Sequence, residues 1–279
     1  LLSRRKDVVL FRNVITQSNT THKSVPMILS SVHTSQHKEL YRRTGIIALF
    51  NEAGFTTYFM SNQSPQGAMI DNLAHDATHV EYMDSPRLDM QLVEAMRNAL
   101  EKDESEKILF VLHSYGSHFS YRQRYSPEFS HFLPDDDVAI NIQNVDMIRN
   151  AYDNSIRYTD YFLNEVIATL EKLEGVSSAM YYCSDHGEDL FDGNKKRFLH
   201  ASPTVTYHQL HVPSLAWFSP QYREHNYDKV AAAVNNELAP ATTYSVFHTM
   251  ADMVHIISPY VVKRASLFDP YFDYGATRY

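Results

Sequence analysis

The stretch Tyr181-Tyr-Cys-Ser-Asp-His-Gly-Glu188 is the one around which the rest of the chain can be organised. Its first half continues a run of β-forming residues from Ser178, and this run ends abruptly at Asp185 and His186. Gly187 then allows the backbone to turn sharply. In open α/β sheets ligands bind outside the carboxyl ends of the strands, so a carboxylate beside an imidazole there indicates a metal or acid–base site. The alternative interpretation is a strand followed by an ordinary polar turn.

Length and composition predict one large globular domain over residues 1–279, of which 44% are hydrophobic and 21% charged. The formal net charge of −8 and the lack of a basic stripe argue against a nucleic-acid partner. The single cysteine, Cys183, cannot form an internal disulfide, and its place in an apolar strand favours a buried, inert thiol. No apolar run approaches the ~20 residues of a membrane helix, so we expect a soluble chain.

A second polar stretch, residues 16–24, follows a predicted strand over residues 8–15 and precedes a predicted helix that starts at Val25. Pro26 fits the first turn of this helix, which places Thr21 near an N-terminus where free N–H groups and the helix dipole favour an anion. A hydroxyl there is either a helix cap or a nucleophile, and this segment alone favours the cap.

Strands and helices alternate along the chain, which is typical of a mostly parallel sheet covered on both faces. The strand before His113-Ser-Tyr-Gly-Ser-His118 also ends in polar residues, and several of the 15 histidines lie in such turns, as a metal site requires. The sequence therefore predicts an α/β fold, a three-layer α/β/α sandwich with a mostly parallel central sheet. Further strands are predicted at residues 55–60, 77–83, 107–112, 178–183 and 211–218, and helices at 39–53, 88–102, 141–173, 231–238 and 242–257.

Several stretches together resemble the phosphoethanolamine transferases of the alkaline phosphatase and sulfatase superfamily. Each is a weak signal alone, and the resemblance depends on their order and spacing across most of the chain. It implies an alkaline-phosphatase-like fold. The stretches are Thr20-Thr-His-Lys-Ser-Val-Pro26, Leu112-His-Ser-Tyr-Gly-Ser-His118, Asn150-Ala-Tyr-Asp-Asn-Ser-Ile156, Ser184-Asp-His-Gly-Glu188, Phe198-Leu-His200 and His211-Val-Pro213.

The resemblance implies a zinc enzyme with a threonine nucleophile. The nucleophile falls on Thr21, and the family's metal-binding Asp-His pair falls on Asp185 and His186, with Thr21 as a further ligand. One or two zinc ions are implied. A threonine hydroxyl is a poor nucleophile at neutral pH, and bound Zn²⁺ stabilises its alkoxide and polarises the phosphoryl oxygen.

Further side chains are implied in handling the substrate. His118 and His200 correspond to family histidines that contact the transferred phosphate or a second metal ion, and they would steady phosphate oxygens or donate a proton to the leaving group. Together with His113 and Lys23 they form the implied substrate-binding set. His211 also matches and is expected to support the site.

The implied reaction has two steps. Thr21 attacks the phosphodiester of phosphatidylethanolamine, releases diacylglycerol and becomes phosphoethanolamine-threonine; an acceptor on lipid A, a core sugar or another glycan then takes the group. The implied location is the periplasmic face of the bacterial inner membrane, which the protein would reach through a segment outside this chain.

The sequence departs from the family at its start. Family members carry an acidic metal ligand on a first strand upstream of the nucleophile, and only Asp7 precedes the first predicted strand here, as a poor substitute. We therefore expect a domain that lacks its first strand and upstream membrane helices. Its metal site would be incomplete, zinc would bind weakly or not at all, and this stretch alone would be inactive. The disulfides of the lipid A enzymes are also absent, which leaves the acceptor open.

Other functions fit parts of the pattern. A sulfatase is disfavoured because its formylglycine arises from Cys or Ser followed by x-Pro-x-Arg, and Ile28 stands where Arg is needed after Ser24-Val-Pro-Met. Phosphoglycerol transferases also use a threonine nucleophile and remain an alternative. A non-catalytic module that binds phosphate head groups is a third possibility.

Overall fold

The computed structural model of the chain describes residues 1–65, 67–83, 88–194 and 196–275. Its strands are β1 (Val8–Phe11), β2 (Val14–Ile15), β3 (Thr56–Ser61), β4 (His79–Tyr82), β5 (Ile108–His113), β6 (Ala179–Cys183), β7 (Asp189–Leu190), β8 (Phe198–Leu199), β9 (Ser214–Phe218) and β10 (Ala241–Thr242). Its α-helices are α1 (Thr21–Ile28), α2 (Ile46–Glu52), α3 (Ala68–Ala74), α4 (Met90–Leu100), α5 (Val145–Glu171), α6 (Tyr207–Leu210), α7 (Pro220–His225), α8 (Tyr227–Asn235) and α9 (Ser245–Met253).

The central strands form two groups of three. In the first group β3 lies between β4 and β5, and all three strands are parallel. In the second, β9 lies between β1 and β6 and is antiparallel to both, so β1 and β6 are parallel to each other. The prediction of mainly parallel strands holds for the first group. The reversed direction of β9 was not predicted, because a strand buried on both faces shows the same apolar run in either direction.

Both groups of strands pack between the same two helical layers, because successive side chains point to opposite faces of a sheet. Tyr58 of β3 and Trp217 of β9 lie in one core with residues of α4 and α5. Phe59, on the other face of β3, packs with α1, α2, α3 and α9. Phe218 of β9 packs on that side with α7 and α8. The predicted three-layer α/β/α arrangement is therefore present.

One edge of β5 and one edge of β6 have no strand partner among the described residues, since β5 pairs with β3 and β6 with β9. Both strands line a cavity of about 850 Å³, and their carboxyl ends, at His113 and Cys183, line a second cavity. The two strands thus run in the same direction on either side of a gap, here called the interstrand slot. Protein interiors otherwise contain few voids larger than a water molecule.

Some predicted bounds are wrong. The helix that carries Thr21 begins at that residue, so Pro26 lies inside the helix and not in its first turn. The strand predicted over residues 8–15 is broken into β1 and β2 at residues 12–13. The helix predicted over residues 39–53 is a 3-10 segment, Thr34–Arg42, followed by α2, because residues 43–45 leave the helical conformation. Within the described residues, no helix is both long enough and apolar enough to span a membrane.

Candidate metal and phosphate site

The candidate site lies where β5, β6 and α1 end or begin. A cavity of about 370 Å³ is lined by Thr21 from the start of α1, His113 from the end of β5, and Asp185 and His186 just beyond β6. His118 lines the same cavity from the loop after β5. Residues far apart in sequence meet here because parallel strands deliver their carboxyl ends to one edge of the sheet.

Thr21 and Asp185 each place an oxygen atom close to the same nitrogen of His186. The Oγ1 of Thr21 lies 3.1 Å from Nε2 of His186, and the Oδ2 of Asp185 lies 3.5 Å from that same nitrogen. Zinc bonds to N and O of about 2.0–2.2 Å in a tetrahedron place neighbouring donors about 3.3–3.6 Å apart. The donor types suit zinc, and the separation of 3.5 Å lies within this range while that of 3.1 Å is slightly shorter. The residues predicted as metal ligands are therefore brought together.

Neighbouring side chains hold the Asp185 segment. Thr16 Oγ1 donates to the main-chain oxygen of Asp185 at 2.5 Å, and Ser24 Oγ donates to its Oδ2 at 3.4 Å. Gly187 packs so closely against the main chain at His208 that a Cβ atom on residue 187 would lie 2.1 Å from the carbonyl oxygen of His208. Any larger residue at this position would displace the turn that presents the adjacent imidazole.

A second group of donors lies beside the first. His186, Glu188 and His200 each offer an atom within 4.8 Å of the other two. Glu188 Oε1 accepts a hydrogen bond from His200 Nδ1 at 2.9 Å, and this bond raises the pKa of His200. The side chain of Glu188 is 6% exposed, and its Oε2 is buried without a hydrogen-bond partner among the described residues. An unpartnered buried carboxylate oxygen is costly unless a cation or donor completes it.

Glu188 was quoted in the organising stretch but not assigned a role. Its spacing from His186 was the available signal, because Glu188 lies only two residues beyond His186 in the segment that follows β6. What the sequence could not supply was the contact with His200, twelve residues further along the chain.

The remaining predicted residues differ in how directly they reach the cavity. His118 is exposed, and its ring centre lies 6.3 Å from that of His200. His113 lines the cavity, hydrogen bonds to Ser61 Oγ at 3.0 Å through Nδ1, and has its pKa lowered by burial. Lys23 is exposed on the first turn of α1 and lies outside the described lining, so the structure does not bring it into the cavity as the predicted substrate-binding role requires.

His211 lies at the margin of the site. It lines the cavity, while its Nε2 contacts the main-chain oxygen of Arg12 at 3.1 Å and its ring stacks on Tyr207. These contacts agree with the supporting position expected for it.

Asp7 is not part of the cluster. Its carboxylate accepts from Arg5 Nη2 at 2.6 Å and from Trp217 Nε1 at 2.7 Å. Val8 and Met180 both pair with Trp217 of β9, so the start of β1 lies beside the start of β6. Asp7 precedes Val8 and therefore lies at the amino end of these strands, opposite the end that carries the site. The sequence-based judgement that Asp7 is a poor substitute for the family's acidic ligand agrees with this position.

Comparison with known proteins gives consistent matches. Residues 1–256 match the family described as Sulfatase. The Kdo(2)-lipid A phosphoethanolamine 7''-transferase of Escherichia coli strain K12 is 31% identical over 193 residues, which cover 66% of this chain and 33% of that protein. The phosphoethanolamine transferase EptA of Salmonella typhimurium is 26% identical over 282 residues, covering 95% of this chain and 50% of that protein.

Among solved structures, the zinc complex of the C-terminal periplasmic domain of EcEptC from Escherichia coli superposes with a TM-score of 0.86 at 20% identity, covering 97% of this chain and 78% of that one. This likeness confirms the predicted α/β, alkaline-phosphatase-like fold. The chain spans half or less of the length of the two curated relatives.

Proposed function

The chain belongs to the sulfatase family, within the alkaline phosphatase and sulfatase superfamily, and we propose that it is the catalytic domain of a metal-dependent phosphoethanolamine transferase. The observation that carries the proposal is the contact between Thr21 Oγ1 and His186 Nε2, with the Asp185 carboxylate against the same nitrogen. It unites a hydroxyl nucleophile and metal-ligand side chains at the mouth of one cavity. Relatives named as phosphoethanolamine transferases support the choice of transferred group.

In the proposed first step, the Thr21 hydroxyl oxygen attacks the phosphorus of phosphatidylethanolamine and diacylglycerol leaves, so that phosphoethanolamine is held on Thr21. The N-terminus of α1 favours the phosphate's negative charge. In the second step, a hydroxyl or phosphate of a lipid A, core-sugar or other glycan acceptor takes the group and restores the threonine. A glycolipid acceptor is supported by the names of the relatives.

His200 and His118 are the proposed phosphate-handling groups. Glu188 accepts from Nδ1 of His200, which leaves Nε2 of that ring for a phosphate or leaving-group oxygen. His118 is fixed in a similar way, since its Nδ1 contacts the main-chain oxygen of Phe119 at 2.6 Å. Lys23 would need a side-chain movement toward the cavity to bind substrate, and His113 would act mainly through the packing of the cavity wall.

Zinc is the proposed metal, held by Thr21, Asp185 and His186, and it would supply Lewis-acid stabilisation of the nucleophile and the phosphoryl oxygens. A structural relative is a zinc complex. Glu188 and His200, which lie beside His186, would offer further donors for a second ion.

The interstrand slot supports the expectation of a missing strand. An additional parallel strand between β5 and β6 would pair with both open edges and would end beside His113 and Asp185. An acidic residue following that strand would add the ligand that the family carries upstream. On this proposal residues 1–279 bind zinc weakly, and a longer product that includes the strand binds it tightly.

The proposed setting is the periplasmic face of the bacterial inner membrane, with the membrane reached through a part of the protein outside this chain. The printed description of the EcEptC fragment as a periplasmic domain supports this setting.

The deciding experiment uses the longest natural product of the gene in cells and in vesicles that contain phosphatidylethanolamine. Mass spectrometry should find phosphoethanolamine on Thr21 and on an envelope glycolipid, and Thr21→Ala should abolish both signals. Thr21→Ser keeps a hydroxyl and should retain part of the activity. Transfer that persists in Thr21→Ala would reject the nucleophile.

The same assay separates the alternative functions. Phosphatidylglycerol as the only donor tests a phosphoglycerol transferase, and a sulfate ester tests a sulfatase-like hydrolase. Head-group binding without any modified product would instead support a non-catalytic module.

A further inference from the structure

Gln209, which is 1% exposed, connects the three segments that carry Thr21, His186 and His200. Its Oε1 accepts from Asn19 Nδ2 at 2.7 Å, two residues before the proposed nucleophile. Its main-chain oxygen accepts from the N–H of Gly187 at 2.9 Å, next to His186. Its Nε2 donates to the carbonyl of Leu199, next to His200, at 3.1 Å.

A second set of bonds runs from Asn19 to the His200 segment. The main-chain oxygen of Asn19 accepts from the N–H of Ala201 at 3.1 Å, and its Nδ2 donates to the carbonyl of Ser202 at 3.0 Å. Leu199 and Ala201, on either side of His200, have φ of 65° and 61°. Non-glycine residues adopt this left-handed conformation only when several surrounding contacts hold them in it. Here Gln209 is hydrogen bonded to Leu199, and Asn19 is hydrogen bonded to Ala201.

The amide of Gln209 suits this place because it offers an acceptor and a donor at once. While Oε1 accepts from Asn19, Nε2 also donates to Oδ2 of Asp189 at 2.8 Å, and Thr206 Oγ1 donates to the other oxygen of that carboxylate at 2.7 Å. Asp189 is 2% exposed. An apolar side chain of the same length would leave the buried Asp189 oxygen and the Leu199 carbonyl without this donor.

We propose that Gln209 is a positioning residue, which sets the placement of Thr21 relative to His186 and His200 without touching the reacting atoms. The catalytic meaning of this placement rests on the proposed function. The side-chain amide of Gln209 joins the Thr21 and His200 segments, and its main-chain oxygen joins the His186 segment to them.

The test compares Gln209→Met, which keeps length and volume, with Asn154→Leu as a matched control. Asn154 is a fully buried amide on α5 that accepts from the N–H groups of His131 and Phe132 and donates to the carbonyl of Phe132, outside the described cavity lining. Both variants lose a buried amide network, so both should unfold at lower temperature. Only Gln209→Met should disturb the site.

The first readout is the ¹⁵N NMR spectrum of the histidine rings in the folded chain. Gln209→Met should shift or broaden the signals of His186 and His200, whereas Asn154→Leu should leave them unchanged. If Gln209→Met does not fold, Asn19→Ala, which removes the hydrogen bond between Asn19 and Gln209 from the other side, should shift the same two signals. Unchanged His186 and His200 signals in the folded variant would overturn the proposal.

The second readout is transfer by the longest natural product. Per folded molecule, kcat of Gln209→Met should fall about 10–100-fold, with a smaller change in KM, as is typical for loss of a supporting partner. Asn154→Leu should retain the wild-type kcat. Because Asn19 and Gln209 share one hydrogen bond, the loss in the double variant should be smaller than the sum of the two single losses, and fully additive losses would count against the proposal.

The two readouts separate the two claims. Histidine signals that shift in a protein without any transferase activity would leave the positioning role intact and reject the proposed function. A transferase that works normally in folded Gln209→Met would reject the positioning role and leave the function intact.

Discussion

The hydroxyl of Thr21 lies 3.1 Å from Nε2 of His186, although 165 positions separate the two residues along the chain. The contact exists because α1 begins at the sheet edge where β6 ends. The start of one helix and the turn after one strand thereby form a single chemical unit.

Replacing Asp185 with Asn should weaken zinc binding by more than about 100-fold, the upper end of the loss typical of outer-shell partners, because the proposed carboxylate ligand loses its charge. Competition with a chromophoric chelator measures this ratio even if the absolute affinity of residues 1–279 is low. Asp7→Asn is the control, since Asp7 is engaged by Arg5 and Trp217 at the opposite end of the strands. Equal weakening by both variants would remove Asp185 from the site.

Gly187→Ala should be destabilising and should also weaken zinc binding, because its Cβ would lie 2.1 Å from the carbonyl oxygen of His208. Relieving such overlap typically costs about 1–3 kcal/mol. Gly175→Ala is a useful comparison: its φ is 73°, but nothing lies within 4 Å of the added atom. Denaturant unfolding should show the larger loss for Gly187→Ala, and only that variant should change metal affinity.

Asp89→Asn should loosen the loop that carries His118. The Asp89 carboxylate is 3% exposed and accepts from the N–H groups of Tyr115 at 2.7 Å and Gly116 at 2.9 Å. An amide would turn one of these acceptors into a donor facing a donor, which costs about 1–3 kcal/mol. Hydrogen exchange of the Tyr115 and Gly116 amides should accelerate, while that of β9 amides should change only with global stability. Unchanged exchange at Tyr115 and Gly116 would contradict this account.

His248 should make the chain less stable as pH falls. Burial lowers its pKa to about 4, its Nδ1 accepts from the N–H of Val262 at 3.2 Å, and its Nε2 is buried without a partner among the described residues. The imidazole of the unfolded chain has a pKa near 6.5. Above that pH the ring is neutral in both states, and its full contribution to the free energy of unfolding is present. It is lost progressively as pH falls toward 4, by up to about 3 kcal/mol.

Urea unfolding of the wild type and of His248→Asn across this range isolates the effect. Asn keeps an acceptor near the position of Nδ1 but does not titrate. The free-energy difference between the two proteins should therefore shrink or reverse at the acid end. Parallel stability curves would show that His248 is not the titrating group.

Cys183 should resist thiol reagents in the folded chain. Burial raises the pKa of its thiol to about 12, so at pH 8 only about one molecule in 10⁴ carries the reactive thiolate. A chromogenic disulfide reagent should label the single cysteine slowly under native conditions and rapidly in urea. Cys183 is of intermediate exposure and lines the cavity of the candidate site, so fast native labelling would mean that this cavity admits the reagent to the thiol.

Features that depend on neighbouring residues could be predicted from the amino-acid sequence alone. The polar ends of β5 and β6 follow from apolar runs that stop at His113 and Asp185, and alternation with helices predicted the layered fold. The exposed and buried positions of a strand or helix repeat with a fixed period, so neighbouring residues carry this information. The resemblance added Thr21, which local evidence alone favoured as a helix cap.

Features that depend on contacts between distant residues could be seen only in the folded chain. There, β9 runs antiparallel to its neighbours, Glu188 accepts a hydrogen bond from His200, and Lys23 is exposed. Gln209 lies between three segments and is hydrogen bonded to each of them. In addition, one edge of β5 and one edge of β6 face the interstrand slot. Such relationships join residues through packing and hydrogen bonds across the fold, and no local period or propensity records which remote partner a side chain will meet.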